Sequence, residues 1–133
     1  MRLHISFTTG KPVYQQLVDQ VKTAAATGAL RPGEPLPSIR PLAEELRVNR
    51  NTVARAYAEL ERAGVIVTVA GKGCFLGDNH SPYKKDVRVK LLTEAVDAAV
   101  VQAHHLQVDP EEFRKLVESR LARFESQRER ARE

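Results

Sequence analysis

The first residues of the chain alternate between apolar and polar side chains, and the pattern then changes to helical spacing. Leu3, Ile5 and Phe7 are separated by polar residues, which predicts a short, half-buried strand. Apolar residues then recur every three or four positions as far as Gly28. Because a glycine often ends a helix, we expect a helix over about residues 12–27.

Two shorter helices joined by a tight turn are predicted next. Ser38 has the side chain of a helix N-cap, and the apolar residues of the first helix run from Ile39 to Leu46. Asn49 can cap the second helix, which ends at Gly64.

A β-hairpin is predicted after the third helix. The segment from Val65 to Val69 is dense in β-branched residues, Gly71-Lys72-Gly73 can form a turn, and Cys74-Phe75-Leu76 returns the chain. The polar residues that follow mark a boundary. We therefore expect two domains, residues 1–78 and residues 79–133.

Two amphipathic helices are predicted in the remainder of the chain. The first covers about residues 84–107, and the second begins at Asp109-Pro110, where a capping acid precedes proline. Its charged tail from Arg128 to Glu133 is expected to fray. Because two helices of this size cannot bury both apolar stripes, we expect a second copy of the chain to cover them. The residues expected at this homodimer interface are Val89, Leu92, Val96, Val100, Phe113, Leu116, Val117, Leu121 and Phe124.

This order of elements is that of a winged helix-turn-helix. The predicted fold class is mainly α with a small β-wing, an N-terminal winged helix-turn-helix followed by a two-helix dimerisation unit. In such a module the third helix enters the major groove of DNA. Asn51 and Arg55 point away from the apolar stripe of that helix. Arg50 and Thr52 flank them, so these four residues are candidate DNA contacts. Lys72 is a candidate contact to the DNA backbone, because the glycines beside it allow close approach.

The charge of the chain agrees with a polyanionic partner. The 133 residues include 21 Lys and Arg against 17 Asp and Glu, a net charge of +4. Residues 1–78 hold +3 of this charge, from 10 basic and 7 acidic residues. Between Leu46 and Ala58 the chain has three arginines and no acid, which predicts a cationic side on the third helix.

Over roughly residues 12–76 the chain resembles the GntR family of bacterial transcription regulators. The residues that carry the resemblance are Pro12 to Leu17, Leu30 to Ala43, Val48 to Val53, Tyr57, Leu60, Gly64, Ile66 and Gly71 to Phe75. The resemblance implies that Arg40 binds phosphate and that Arg50, Asn51 and Thr52 belong to the recognition helix. It also implies that the wing glycines, Gly71 and Gly73, approach the minor groove.

Two positions depart from the family pattern. Ala54 stands where many members have arginine, and we expect neighbouring Arg55 to take over that role. Cys74 stands where they have serine or threonine, and we expect it to pack within the hairpin. The operator preference of other members therefore does not transfer to this chain.

The short C-terminal part resembles that of the YtrA-like subfamily. Family members with large acid-binding, sugar-binding or aminotransferase-like domains need many more residues than this chain has. In YtrA-like members two helices form a dimerisation unit, and the regulators often control nearby transporter operons. We expect a homodimeric repressor of double-stranded DNA, and its two-fold symmetry predicts an inverted-repeat operator. The sequence does not identify a small-molecule effector.

The residues alone leave two other functions open. Cys74 could be the nucleophile of an enzyme, which requires a nearby base and a thiol of low pKa. The chain could instead be a protein-interaction module whose basic face is incidental.

Other kinds of site are not expected. One cysteine cannot make an internal disulfide or a multi-thiolate zinc site, and the adjacent His104 and His105 face different directions on a helix. We expect no metal and no cofactor. The chain has neither an apolar run long enough to span a bilayer nor the apolar core of a signal peptide, so we expect a cytoplasmic, nucleoid-associated protein with no membrane partner.

Overall fold

The computed structural model describes residues 2–78 and 81–132, which form two units. The first unit extends to Pro82, and the second runs from Tyr83 to Ala131. The elements of the first unit are α1 (Val13–Thr27), α2 (Ile39–Leu46), α3 (Arg50–Arg62), β1 (Ile66–Val69) and β2 (Gly73–Leu76). Those of the second unit are α4 (Lys85–His105) and, up to Ala131, α5 (Pro110–Arg132). The predicted fold class, mainly helical with a small β-wing, is confirmed.

The core of the first unit lies between the three helices and the hairpin. α3 packs against α1, α2 and β1, so it is the central element. Its inward side carries the buried residues Val53, Ala56, Tyr57 and Leu60. The buried apolar residues of this core are Leu17, Val18, Val21, Ala24, Leu30, Leu36, Leu42, Ala43, Val53, Ala56, Tyr57, Leu60, Ile66 and Leu76.

The helix ends follow the local signals of the sequence, with one exception. Gly28 ends α1 with a left-handed φ of 84°, and Asn49 caps α3 by accepting a 2.7 Å hydrogen bond from the Asn51 backbone N–H. Ser38 occupies the N-cap position of α2, but its side chain makes no capping hydrogen bond. Its carbonyl accepts the backbone N–H of Leu42 instead.

The hairpin pairs β1 and β2 antiparallel, with Thr68 opposite Cys74. The predicted turn is one residue too late, because Gly73 is already the first residue of β2. The chain reverses at Ala70 to Lys72, where Gly71 has a φ of 76° and the Lys72 N–H donates to the Val69 carbonyl.

The loop before α2 extends this small sheet. Gly33 and Leu36 donate their backbone N–H groups to the carbonyls of Leu76 and Cys74, each at 2.9 Å, and the Leu76 N–H donates back to Glu34 at 2.9 Å. The proline-rich loop thus lies along β2 and holds the wing against the helix-turn-helix.

The predicted N-terminal strand is wrong. The described residues before α1 contain no strand, and Phe7 is 73% exposed. Two glutamine side chains of α1 replace the partner strand. Gln16 both accepts from the Ser6 N–H and donates to the Ser6 carbonyl, each at 2.8 Å. Gln20 does the same for His4, at 3.0 and 2.6 Å.

The second unit consists of two helices joined at residues 106–109. Asp109 caps α5, because its carboxylate accepts the Glu112 backbone N–H at 2.9 Å. This hydrogen bond lowers the pKa of Asp109 below its ordinary value. α5 continues to Arg132, within the tail expected to fray, and the guanidinium of Arg128 lies 5.9 Å from the centre of the Phe124 ring.

Neither helix of the second unit contains a buried residue. Ala95 and Val96 of α4 and Phe113 and Val117 of α5 line a groove of about 520 Å³ between them. In the part of the chain that the structure describes, no helix is both long and apolar enough to cross a membrane.

Candidate nucleic-acid interface

The interface is built around the first turn of α3. Arg50 and Asn51 are exposed, whereas Thr52 is half-buried. The first turn contains no acidic residue, so no carboxylate there neutralises the positive end of the helix dipole, and Arg50 adds to its positive charge. The start of α3 therefore favours an anionic ligand.

Asn51 and Arg55 lie on the solvent side of α3, as the helical spacing predicts. Both are exposed, whereas Val53 and Ala56 are fully buried on the opposite side. Asn51 and Arg55 are four residues apart, which places them about one turn apart on the same side of the helix.

Arg55 makes a contact that the sequence analysis did not predict. Its guanidinium carbon lies 3.7 Å from the centre of the Tyr14 ring, which belongs to α1. This is a cation–π contact, with the guanidinium over the ring. The sequence carried no direct signal for this pair, because only the packing of α1 on α3 brings the two residues together.

Arg40 is the second residue of α2 and is exposed. The start of this helix is held to α3 by the buried Tyr57, whose hydroxyl donates a 2.6 Å hydrogen bond to the Pro37 carbonyl. Burial, with a smaller contribution from Cys74, raises the pKa of Tyr57 above its ordinary value of 10.0, so the phenol keeps this proton. Tyr57 therefore positions the segment that carries Arg40.

The wing presents the remaining candidate contacts. Gly71, Lys72 and Gly73 are all exposed, and space is open around both glycines. The side chain of Thr68 on β1 donates a 2.8 Å hydrogen bond to Glu61 of α3, which ties the wing to that helix. Lys72 lies in the tight turn that follows β1, where its N–H donates to the Val69 carbonyl at 2.9 Å.

These cations are not neutralised within the protein. Among the described residues, Arg40, Arg50 and Lys72 form no ion pair, whereas Arg62 at the far end of α3 is paired with Glu59. The predicted cationic side of α3 is therefore concentrated at its N-terminal half, where a DNA groove would be met.

The residues expected at the dimer interface are accessible. Val89, Leu92, Val96, Val100, Leu116, Val117 and Leu121 are exposed, and Phe113 and Phe124 are half-buried. The exposed fractions reach 66% for Leu92 and 55% for Leu121.

Cys74 lies in the hairpin, as expected, with its sulfur 3.5 Å from the Thr68 hydroxyl. The same hydroxyl donates to the Glu61 carboxylate, and the phenol of Tyr57, whose pKa is raised by burial with a smaller contribution from Cys74, stays protonated. Within residues 2–78 and 81–132 no three His, Cys, Asp or Glu side chains gather in a way that could hold a metal ion.

The fold and this cationic surface define a DNA-binding transcription regulator of the winged helix-turn-helix class. Residues 13–76 match the family model described as bacterial regulatory proteins, gntR family. The transcriptional repressor YtrA of Bacillus subtilis (strain 168) is 31% identical over 115 residues, which cover 86% of this chain and 88% of YtrA. The chain therefore belongs to the GntR family, and its likeness to YtrA includes the C-terminal helices.

Solved structures agree with this assignment. A protein of Listeria monocytogenes EGD-e described as a transcriptional antiterminator has a TM-score of 0.82 and 31% identity, over 93% of this chain and 92% of its own. YtrA of Sulfolobus acidocaldarius, described as a GntR-family transcription factor, has a TM-score of 0.56 and 34% identity, over 71% of this chain and 97% of its own.

Proposed function

We propose that the protein is a homodimeric repressor that binds an inverted-repeat operator and controls a transporter operon or other nearby genes. The observation that carries DNA recognition is the exposed group of Arg50, Asn51 and Arg55 on α3, together with the exposed and unpaired Arg40 of α2. The similarity to the repressor YtrA supports repression rather than activation of the controlled genes. The protein acts in the cytoplasm at the nucleoid and has no catalytic activity.

The second unit supports the dimer. α4 and α5 expose large apolar side chains and bury none of their residues, which a soluble helix pair does not tolerate without a partner. A symmetric second copy would cover the same stripes on both chains at once. The interface would comprise the nine stripe residues from Val89 to Phe124.

Each part of the winged helix-turn-helix has a separate role in this proposal. Arg50, Asn51 and Thr52 meet base edges in the major groove, with Arg55 beside them. Arg40 and Lys72 bind phosphates, and Gly71 and Gly73 let the wing approach the minor groove. Two copies related by a two-fold axis would place their recognition helices about one helical turn, roughly 10 base pairs, apart.

DNA binding is tested by titrating the protein with the duplex upstream of its own gene. We expect Arg50→Ala to weaken binding by about 1–3 kcal/mol at that duplex without lowering the melting temperature. Arg130→Ala is the matched control, because it removes the same charge from the far end of α5. Equal affinity of the wild type and Arg50→Ala would contradict the recognition-helix assignment.

The dimer is tested by sedimentation of the full chain and of Leu92→Glu and Leu121→Glu. We expect a dimer at micromolar concentration for the wild type and dissociation in both variants, because each places a charge on an apolar stripe. A monomeric wild type would contradict the dimer. Insertion of about five base pairs between the half-sites should also abolish tight binding, since it rotates one half-site to the opposite face of the duplex.

A further inference from the structure

The turn between α2 and α3 contains an arginine in an unfavourable backbone conformation. Arg47 is the C-cap of α2 and has φ 58° and ψ 46°. These angles lie in the left-handed region, which residues other than glycine and asparagine rarely adopt. Its N–H donates to the carbonyls of Ala43 and Glu44, and the Val48 N–H also donates to Ala43. These are backbone hydrogen bonds, so a glycine would form them equally well.

The side chain of Arg47 does not explain why an arginine stands there. It is exposed, and no hydrogen bond or ion pair of its guanidinium is found among the described residues. The acidic residues Glu44 and Glu45 on the same helix are exposed as well, and neither forms an ion pair with it. The fold therefore bears the strain of this residue without a compensating contact.

The position of Arg47 places its positive charge near the start of the recognition helix. It precedes Asn49, the N-cap of α3, by two residues and Arg50 by three. At 3.8 Å between successive Cα atoms, its backbone is at most about 11 Å from that of Arg50. Its long side chain therefore starts close to the positive end of the recognition helix, from which an extended guanidinium would be able to reach a flanking phosphate.

We propose that Arg47 is a DNA-backbone contact of this regulator, held at a position that would be more stable as glycine. This inference rests on the DNA binding of the proposed function. Its guanidinium donates N–H groups to phosphate oxygens, so it strengthens binding to every sequence and does not select among bases. The strained backbone is an instance of stability sacrificed at a functional position.

The test compares Arg47→Gly, Arg47→Gln and Arg47→Lys on the duplex upstream of the gene and on an unrelated duplex of equal length. We expect Arg47→Gln and Arg47→Gly to weaken binding to both duplexes by the same factor, roughly tenfold for one charge-assisted hydrogen bond. The slope of log affinity against log salt should fall by about 0.9 for each phosphate that the variant no longer binds. Arg47→Lys keeps the charge and should retain most of the affinity.

Thermal melts separate the backbone effect from the charge. Arg47→Gly should melt at or above the wild-type temperature, whereas Arg47→Gln should melt as the wild type does. Gln107→Gly is the matched control, since Gln107 has a φ of 59° but lies in the turn between α4 and α5. It should also melt no lower than the wild type and leave DNA binding unchanged.

The outcomes that contradict the inference are distinct from a failure of the proposed function. If the wild type binds DNA and Arg47→Gln binds with the same affinity and salt slope, Arg47 is not a backbone contact. A loss confined to the upstream duplex would show base recognition and would also overturn it. If the wild type binds neither duplex, the proposed function fails and the contact fails with it.

Discussion

The guanidinium of Arg55 stacks on the ring of Tyr14, with 3.7 Å between the guanidinium carbon and the ring centre. The stack joins the solvent side of α3 to the first turn of α1. It also limits the directions that the arginine can take, since one of its two faces is covered. Tyr14 is therefore a positioning residue for Arg55.

Replacing Tyr14 tests this positioning role. We expect Tyr14→Ala to weaken DNA binding about two- to fivefold, which corresponds to a cation–π stack of about 0.5–1 kcal/mol. Tyr14→Phe keeps the ring and should bind as the wild type does. The measurement is a titration of each variant with the same duplex, and equal losses in both variants would show that the hydroxyl, not the ring, is what matters.

The N-terminal segment should depend on Gln16. This side chain is 8% exposed and makes three hydrogen bonds, two to Ser6 and one of 2.9 Å to the Lys11 carbonyl. Because Gln16→Ala leaves these backbone groups without partners, we expect it to lower the free energy of unfolding by about 1–3 kcal/mol. Gln20→Ala is the comparison and should cost less, because its hydrogen bonds to His4 are exposed.

Amide hydrogen exchange provides the local readout for this prediction. The Ser6 N–H should exchange faster in Gln16→Ala, because its acceptor is gone, while amides of α3 keep their order of protection. Unchanged Ser6 exchange would mean that the segment is held by the packing of Leu3 and Ile5 alone.

Tyr57→Phe should destabilise the helix-turn-helix. The substitution removes the donor to the Pro37 carbonyl and should lower the free energy of unfolding by about 1–2 kcal/mol. Chemical denaturation measures the change, with Tyr14→Phe as the control that loses a hydroxyl for which no hydrogen bond is found among the described residues. Equal stability of Tyr57→Phe and the wild type would contradict the role given to this hydroxyl.

The buried phenol also predicts an alkaline dependence. The pKa of Tyr57 is raised in the folded state, so above its ordinary value of 10.0 the unfolded chain loses the proton while the folded chain keeps it. The contribution of Tyr57 to stability is therefore complete below pH 10 and declines above it. The difference in the free energy of unfolding between the wild type and Tyr57→Phe, measured by chemical denaturation, should therefore become smaller as the pH rises above 10.

Asp109 predicts an acid dependence in the second unit. The hydrogen bond from the Glu112 N–H lowers the pKa of Asp109 below 3.8, so its contribution is present above that pH and is lost as the pH falls through the folded-state value. We expect Asp109→Ala to lower the temperature at which helical signal is lost at pH 7, measured by circular dichroism of the full chain. Asp109→Asn caps without a charge and should show no such acid transition.

The helices could be predicted because their signals are local. Gly28, Asn49 and Asp109 each mark a helix end through the conformation or hydrogen bond of one residue, and the structure has a helix end at each. The exposed positions of Asn51 and Arg55 follow from helical geometry alone.

The errors fall where a distant group decides the outcome. The alternation of apolar Leu3, Ile5 and Phe7 with polar residues indicates a segment with one side against the core. It does not show which groups form hydrogen bonds with the backbone of that segment. Gln16 and Gln20 fill that role from a neighbouring helix. The stack of Arg55 on Tyr14 was missed for the same reason.

The left-handed residue at position 47 was missed for a different reason. Residues with a positive φ are usually glycine or asparagine, so an arginine in the sequence does not predict this conformation. Only the backbone geometry shows that the turn strains this residue.

A unit without buried residues gains little stability from its own packing. In the proposed dimer a second copy covers α4 and α5, so their folding free energy would depend on the concentration of the protein. A newly made chain would remain open to proteases along residues 85–132 until it is covered. The cellular lifetime of the regulator, and with it the number of molecules able to occupy an operator, would then rise more steeply than its rate of synthesis.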